Sequence, residues 1–145
     1  MKPAVLLSGL AALTATSFLV IERTDTAAKV YRADVSSATN ILGSAWDVNA
    51  ASPTASTPAL ESLANPATQG VAVVSKSLVA DLSTLPNIPN KIEGIALARG
   101  DVLVIANDND FGLVDTATFD ASGRLSNDTR VKSQLIYIQL ENPVK

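Results

Sequence analysis

The sequence has 145 residues, of which 47% are hydrophobic and 17% charged, and its net charge is −3. This length suits one ordinary domain, and the slightly acidic balance without a basic patch argues against nucleic acid as a partner. The chain contains neither cysteine nor histidine, which excludes disulfides, thiolate zinc sites, cysteine nucleophiles, Ser-His-Asp triads and histidine-ligated metal centres.

The N-terminal stretch up to Ile21 allows two interpretations. Residues 3–21 carry no charge, as in a signal peptide or a short membrane-spanning segment. Polar residues interrupt this run, however, and a turn at residues 14–17 would join two short strands. A repeat of the pattern further along the chain favours the strand pair, so we predict strands here and expect no stable membrane span.

Two more strands are predicted after this pair. Residues 29–35 alternate between two faces, as a half-buried strand does, and residues 71–82 are the next strand candidate. Between them, residues 38–70 are predicted to form an insertion loop, because residues 49–70 are rich in Ala, Ser, Thr and Pro and poor in bulky apolar residues. A short helix is expected at residues 58–65.

A second group of strands follows a proline-rich breaker at residues 85–90. Strands are predicted around residues 93–97 and 102–105, and a weaker one at residues 111–118. Residues 134–140 form the last candidate, with alternating apolar side chains on one face.

The two groups of strands resemble each other. Gly9 and Gly94 open similar apolar stretches, and the apolar strands that follow them, residues 18–21 and 102–105, also match. The offset between the matched strands is one residue shorter than the offset between the glycines. Four antiparallel strands make one blade of a β-propeller. We therefore predict an all-β fold of antiparallel four-stranded blades, a partial β-propeller of about two blades. The two units are residues 5–82 and residues 91–141.

Two blades cannot close a propeller ring, and they leave unpaired strand edges open. The expected solutions are the remaining blades of a longer protein, self-association with copies of this chain, or completion by a neighbouring chain. The sequence leaves these three open.

Several phrases together resemble the phytase-like family, whose domain is described as an esterase-like activity of phytase. The resemblance runs from about residue 8 to residue 140 and corresponds to the C-terminal part of the family domain. It implies a secreted or periplasmic, mostly bacterial propeller, with phosphoester or ester hydrolase chemistry on a small phosphorylated or ester substrate. A two-blade piece alone is expected to be inactive. The phrases are FLVIER at 18–23, KVYRAD at 29–34, KIEG at 91–94 and ANDNDFG at 106–112.

Oxygen-bearing side chains follow the second strand of the second unit. Asn107, Asp108 and Asp110, together with Glu93 at the start of the preceding strand, are a candidate set of metal ligands. With cysteine and histidine absent, such a set suits a hard cation such as calcium. The alternative is turn chemistry, because Asn and Asp side chains readily bond their own backbone.

Three residues are candidates for a catalytic role. Glu93 could act as a general base, with Arg23 or Lys91 assisting at a phosphate group. The alternatives are a salt bridge of Glu93 with Lys91 or Arg99 and structural ion pairing of Arg23. A non-catalytic propeller that binds a ligand or a protein partner is the alternative function, since function does not follow from fold.

Overall fold

The structure is a computed structural model that describes residues 5–24, 26–47, 59–114, 116–127 and 130–144. The regular elements in these ranges are seven β-strands and four short 3-10 helices, which confirms the all-β prediction. The strands are β1 (Leu6–Ala12), β2 (Ser17–Arg23), β3 (Ala28–Asp34), β4 (Ser75–Asp81), β5 (Ile92–Arg99), β6 (Val102–Asn107) and β7 (Leu135–Gln139). The 3-10 helices are Leu60–Ser62, Pro66–Gln69, Leu82–Thr84 and Asp110–Gly112.

The first sheet contains β1 to β4 in chain order, and each strand is antiparallel to the next. The hairpin of β1 and β2 confirms the predicted strand pair, and its turn is closed by Thr14, whose Oγ1 accepts a hydrogen bond of 3.0 Å from the Ser17 amide. Alternate residues of β2 are buried, as the period of a strand requires. No helix in the described part of the chain is long and apolar enough to cross a membrane.

The second sheet contains three strands, in the order β5-β6-β7. The strand predicted at residues 111–118 is not found in the described residues, and β7 pairs directly with β6. Asp110 and Phe111 adopt left-handed backbone angles, with φ of 51° and 57°. This conformation turns the chain away from the extended path that a strand needs. The four-stranded prediction therefore holds for the first sheet, and the second is a three-stranded version of it.

The insertion between β3 and β4 is described only in part, because residues 48–58 lie outside the described ranges. The short helix expected at residues 58–65 appears as the 3-10 turn Leu60–Ser62. A second 3-10 helix follows, and Asn65 caps it by accepting a 3.2 Å hydrogen bond from the Ala67 amide. Where it is described, the insertion contains these two 3-10 helices and no strand.

The two sheets pack face to face around one apolar core. Full burial of a Leu or Ile side chain contributes about 1.5–3 kcal/mol, so the buried aliphatic residues of this core supply the main driving force for stacking the sheets. Among the described residues, the buried cluster between the sheets consists of Leu19, Ile21, Ala28, Val30, Leu82, Ile92, Leu103, Ile105 and Leu140.

The pairing register corrects the predicted repeat by one residue. Gly9 lies opposite Ile21 in the first hairpin, and Gly94 lies opposite Ala106 in the second. The offset between the two units is therefore the same at both strands, and the shorter offset predicted for the apolar strands is wrong. A shift of one residue exchanges the two faces of a strand, so Ile21 corresponds to Ala106.

Each sheet thus has a back face, which carries the glycine, and a front face on its opposite side. The back face of the first sheet packs on the front face of the second, where the Cβ position of Gly9 lies 3.2 Å from Cγ2 of Ile95. Cross-strand partners share a face. The back faces carry Gly9, Ile21 and Val30 in the first sheet and Gly94, Ala106 and Leu135 in the second. The front faces carry Leu10, Val20 and Tyr31 in the first sheet and Ile95, Ile105 and Ile136 in the second.

Candidate functional site

Three strand ends meet at one end of the stacked sheets. Arg23 ends β2, Ile92 begins β5, and Asn107, which pairs with Ile92, ends β6. The two sheets touch closely at this point, because Oγ of Ser8 donates a 2.9 Å hydrogen bond to the backbone oxygen of Ile92. The register therefore brings the predicted site residues of both units to a common edge.

Arg23 and Glu93 form an ion pair between the two sheets through Nη2 and Oε1. The Arg23 side chain is 9% exposed and the Glu93 side chain 38%. Nε of Arg23 is buried and has no hydrogen-bond partner among the described residues. A buried guanidinium with one unsatisfied donor is costly, which makes Arg23 the most constrained charged group at this edge.

Lys91 and Asp110 form the second ion pair of the edge. The hydrogen bond to Lys91 is the main reason that the pKa of the Asp110 carboxyl lies below its ordinary value. The same bond raises the pKa of the Lys91 ammonium. Arg23 acts electrostatically on both groups. The two ion pairs therefore form one charged cluster rather than separate surface contacts.

The acidic segment after β6 makes turn contacts with its own backbone. Asp108 Oδ1 accepts a 2.9 Å hydrogen bond from the Asp110 amide, and Asn109 Oδ1 accepts one of 3.2 Å from the Phe111 amide. The Asp108 amide donates to the backbone oxygen of Lys91 at 2.9 Å. The two side-chain bonds are the turn chemistry that the sequence offered as the alternative interpretation.

Asn107 acts as a buried connector between β6 and the segment before β7. Its Oδ1 accepts a 2.7 Å hydrogen bond from the Gln134 amide, and its Nδ2 donates to the backbone oxygen of Lys132 at 3.2 Å. The residue is 6% exposed. Sequence reasoning did not predict the partners at 132 and 134; the only signal was an amide at the end of an otherwise apolar strand.

The predicted metal ligands lie near this edge, but most of their charge is already compensated. Glu93 is paired with Arg23, and Asp110 with Lys91. Within the described ranges, no group of three or more acidic side chains is placed to hold a metal ion. A calcium ion prefers six to eight oxygen ligands, so this set does not fit the ion unless the cations move away.

A small cavity of about 90 Å³ adjoins Lys91. It lies between the loop after β2 and the breaker segment before β5. A water molecule needs about 10–15 Å³ of such space, so the cavity has room for several waters or a small polar group. Its lining includes Thr24, Thr26, Ser83, Asn90 and Lys91.

Comparison with known proteins identifies a family. The family model Phytase-like, described as esterase-like activity of phytase, matches residues 2–111. The chain belongs to the phytase-like family. The match includes β1 to β6 of the phytase-like chain and every predicted site residue. No curated protein and no solved structure matches the chain significantly.

Proposed function

We propose that this phytase-like chain supplies the charged edge of a hydrolase for phosphoesters or esters. The observation that carries the proposal is that Arg23 meets Glu93, which lies 70 residues later in the chain, and the neighbouring Lys91 at one edge beside a small cavity. Two cations next to a carboxylate are what hydrolysis of an anionic ester needs, since one part stabilises developing charge and the other accepts a proton.

In the proposed reaction the phosphoryl or acyl oxygen lies against the cations. A water molecule attacks the phosphorus or carbonyl carbon, and the Glu93 carboxylate takes the proton of that water. The bond to the leaving alcohol breaks, and the alkoxide takes a proton from solvent. Glu93 is 38% exposed, so a water molecule can reach it, whereas the buried Arg23 acts mainly by its charge.

The activity is proposed for a completed ring rather than for two sheets alone. Propeller ligands bind where several blades meet, and one chain supplies only part of such a mouth. Turnover is therefore expected in the assembled protein.

The test is turnover of p-nitrophenyl phosphate and a p-nitrophenyl ester over a range of protein concentrations. Glu93→Gln removes the proposed base, while Glu61→Gln in the insertion is the matched control. We expect the first variant to lose about 10²–10⁴-fold in kcat, the usual contribution of a general base, and the control to keep wild-type rates. Equal turnover by the wild type and Glu93→Gln opposes the proposed role.

Calcium assistance is a separate proposal. Binding at Asp108 and Asp110 would require Lys91 to release Asp110, and calcium is expected to raise the midpoint of thermal unfolding if this exchange occurs. Asp108→Ala combined with Asp110→Ala should abolish the rise. No stabilisation at millimolar calcium removes the metal from the proposal and leaves the cationic version.

The alternative is a non-catalytic module that binds a ligand or a protein partner. It is favoured by the pairing of Glu93 and Asp110 with cations and by the turn bonds of Asp108, because satisfied polar networks rigidify structure. Absence of turnover at every concentration, with unfolding affected in Glu93→Gln, supports this alternative.

A further inference from the structure

Stacking of the two sheets leaves two apolar faces uncovered within the described chain. Leu10 on the front face of the first sheet is 65% exposed, and on the back face of the second sheet Leu135 is 67% and Tyr137 68% exposed. A concavity of about 490 Å³ lies on the front face of the first sheet. Contiguous apolar surface of this kind marks an interaction site. The apolar residues that line the concavity include Leu10, Phe18, Val20, Tyr31, Ala33 and Val35.

The repeat shows what kind of surface covers each face. Val20 corresponds to Ile105, which is completely buried under the back face of the first sheet. Leu135 corresponds to Val30, which is completely buried under the front face of the second sheet. A front face is thus covered by a back face in the contact that exists inside the chain. Of the two uncovered faces, one is the front face of the first sheet and the other is the back face of the second sheet.

The uncovered faces also repeat the shape of the existing contact. In that contact the small Gly9 receives the aliphatic Ile95. The uncovered back face offers Gly94 at the same place, and the uncovered front face offers Leu10 where Ile95 stands in the repeat. A large side chain can therefore enter the space that a glycine leaves.

Charge does not oppose contact between these faces. The charged residues bordering the front face, Glu22 and Lys76, form an ion pair with each other. The Lys76 ammonium also lies 4.4 Å from the ring centre of Tyr31. Docking of an apolar face here leaves neither of these charges without a partner.

We propose that copies of this chain associate head to tail, the front face of the first sheet of one copy covering the back face of the second sheet of another. Such an interface is heterologous, so the growing assembly keeps one free front face and one free back face until the ring closes. Propellers usually have about four to eight blades, so a ring of about two to four copies reaches that range.

The test is sedimentation velocity of the full chain over about a hundredfold range of concentration, because an association of this kind depends on concentration. Leu10→Asp blocks the front face and Leu135→Asp the back face. Leu42→Asp in the insertion, where Leu42 is 78% exposed, is the matched control. Burying an unpaired carboxylate is costly, so each face variant should raise the apparent Kd at least about tenfold. The control should associate as the wild type does.

Mixing the two face variants distinguishes head-to-tail contact from contact between like faces. Each variant keeps the face that the other has lost, so the mixture should form a 1:1 heterodimer that grows no further. Circular dichroism checks that both variants keep the β-sheet fold. If one variant does not fold, comparing the other with the wild type is enough for the sedimentation experiment. A wild type that stays monomeric throughout, or a Leu135→Asp variant that still forms dimers by itself, overturns the proposal.

Discussion

Replacement of Gly9 by alanine tests the stacking of the two sheets at its closest point. A Cβ atom at this position would lie 2.6 Å from the backbone oxygen of Glu93, 3.0 Å from Cδ1 of Ile21 and 3.2 Å from Cγ2 of Ile95. Side chains can turn slightly to relieve the second and third contacts. The Glu93 oxygen belongs to the backbone of β5, so the first contact is relieved only if the sheets separate.

The cost follows from the known effect of overpacking. An inserted methyl group in a tight core destabilises a protein by about 1–3 kcal/mol. Alanine also restricts the unfolded chain, which offsets about 0.4–1 kcal/mol of that cost. We expect Gly9→Ala to lower the free energy of unfolding by about 0.5–2.5 kcal/mol. At about 2–4 °C per kcal/mol, the Tm should fall by about 1–10 °C.

The assay is urea unfolding followed by far-ultraviolet circular dichroism at one fixed protein concentration. Gly100→Ala is the matched control, because its new Cβ would meet nothing closer than the Val144 oxygen at 3.7 Å. The control restricts the unfolded chain in the same way without the close contact, so its free energy of unfolding should stay the same or rise by up to about 1 kcal/mol. If Gly9→Ala unfolds at the same urea concentration as Gly100→Ala, the close contact between β1 and β5 is refuted.

Three further predictions concern the charged edge. Glu93→Gln should lower the free energy of unfolding, measured in urea, by about 1–3 kcal/mol, which is less than the roughly 3–5 kcal/mol of a fully buried pair because Glu93 is 38% exposed. Adding Arg23→Met should restore part of the lost stability, and a double variant no more stable than Glu93→Gln alone contradicts this. Asn107→Ala should cost about 1–3 kcal/mol in the same assay, since it removes two hydrogen bonds to the segment before β7, each worth about 0.5–1.5 kcal/mol; a neutral result refutes its connecting role. Asp110 has a lowered pKa because of Lys91, so its stabilising contribution is present above its unfolded pKa near 4 and is lost as pH falls through the lower folded value. The Tm difference between wild type and Asp110→Asn should therefore shrink on acidification below about pH 4, and a difference that stays constant down to about pH 2 argues against the pair.

The strands of this protein are largely local properties of its sequence. Alternation over β3 and β7 predicted both strands and, in β7, the apolar face that it buries, because side chains of a strand point alternately to opposite sides. The Gly9 and Gly94 repeat likewise indicated two equivalent units. The prediction of a strand at residues 111–118 was wrong for a local reason too. The left-handed backbone angles at Asp110 and Phe111 cannot be read from the pattern of apolar residues.

The meeting of the site residues was predicted only as a possibility of the fold. Sequence proximity suggested Lys91 or Arg99 as the partner of Glu93, but the partner is Arg23, 70 residues away. Nε of Arg99 instead lies 3.6 Å from Oδ1 of Asp101. The distance between two charged side chains from different sheets is set by how the sheets pack. The sequence therefore identified the charged groups but did not predict which of them would pair.

The sequence by itself thus determined the strands, the repeat and the set of side chains available for chemistry. The tertiary structure decided the register, which gives both strands of the repeat one common offset, and with it the faces that are covered and the faces that remain open. The physical reason is that alternation is written in neighbouring residues, whereas register depends on which distant strand supplies the hydrogen bonds and the apolar surface.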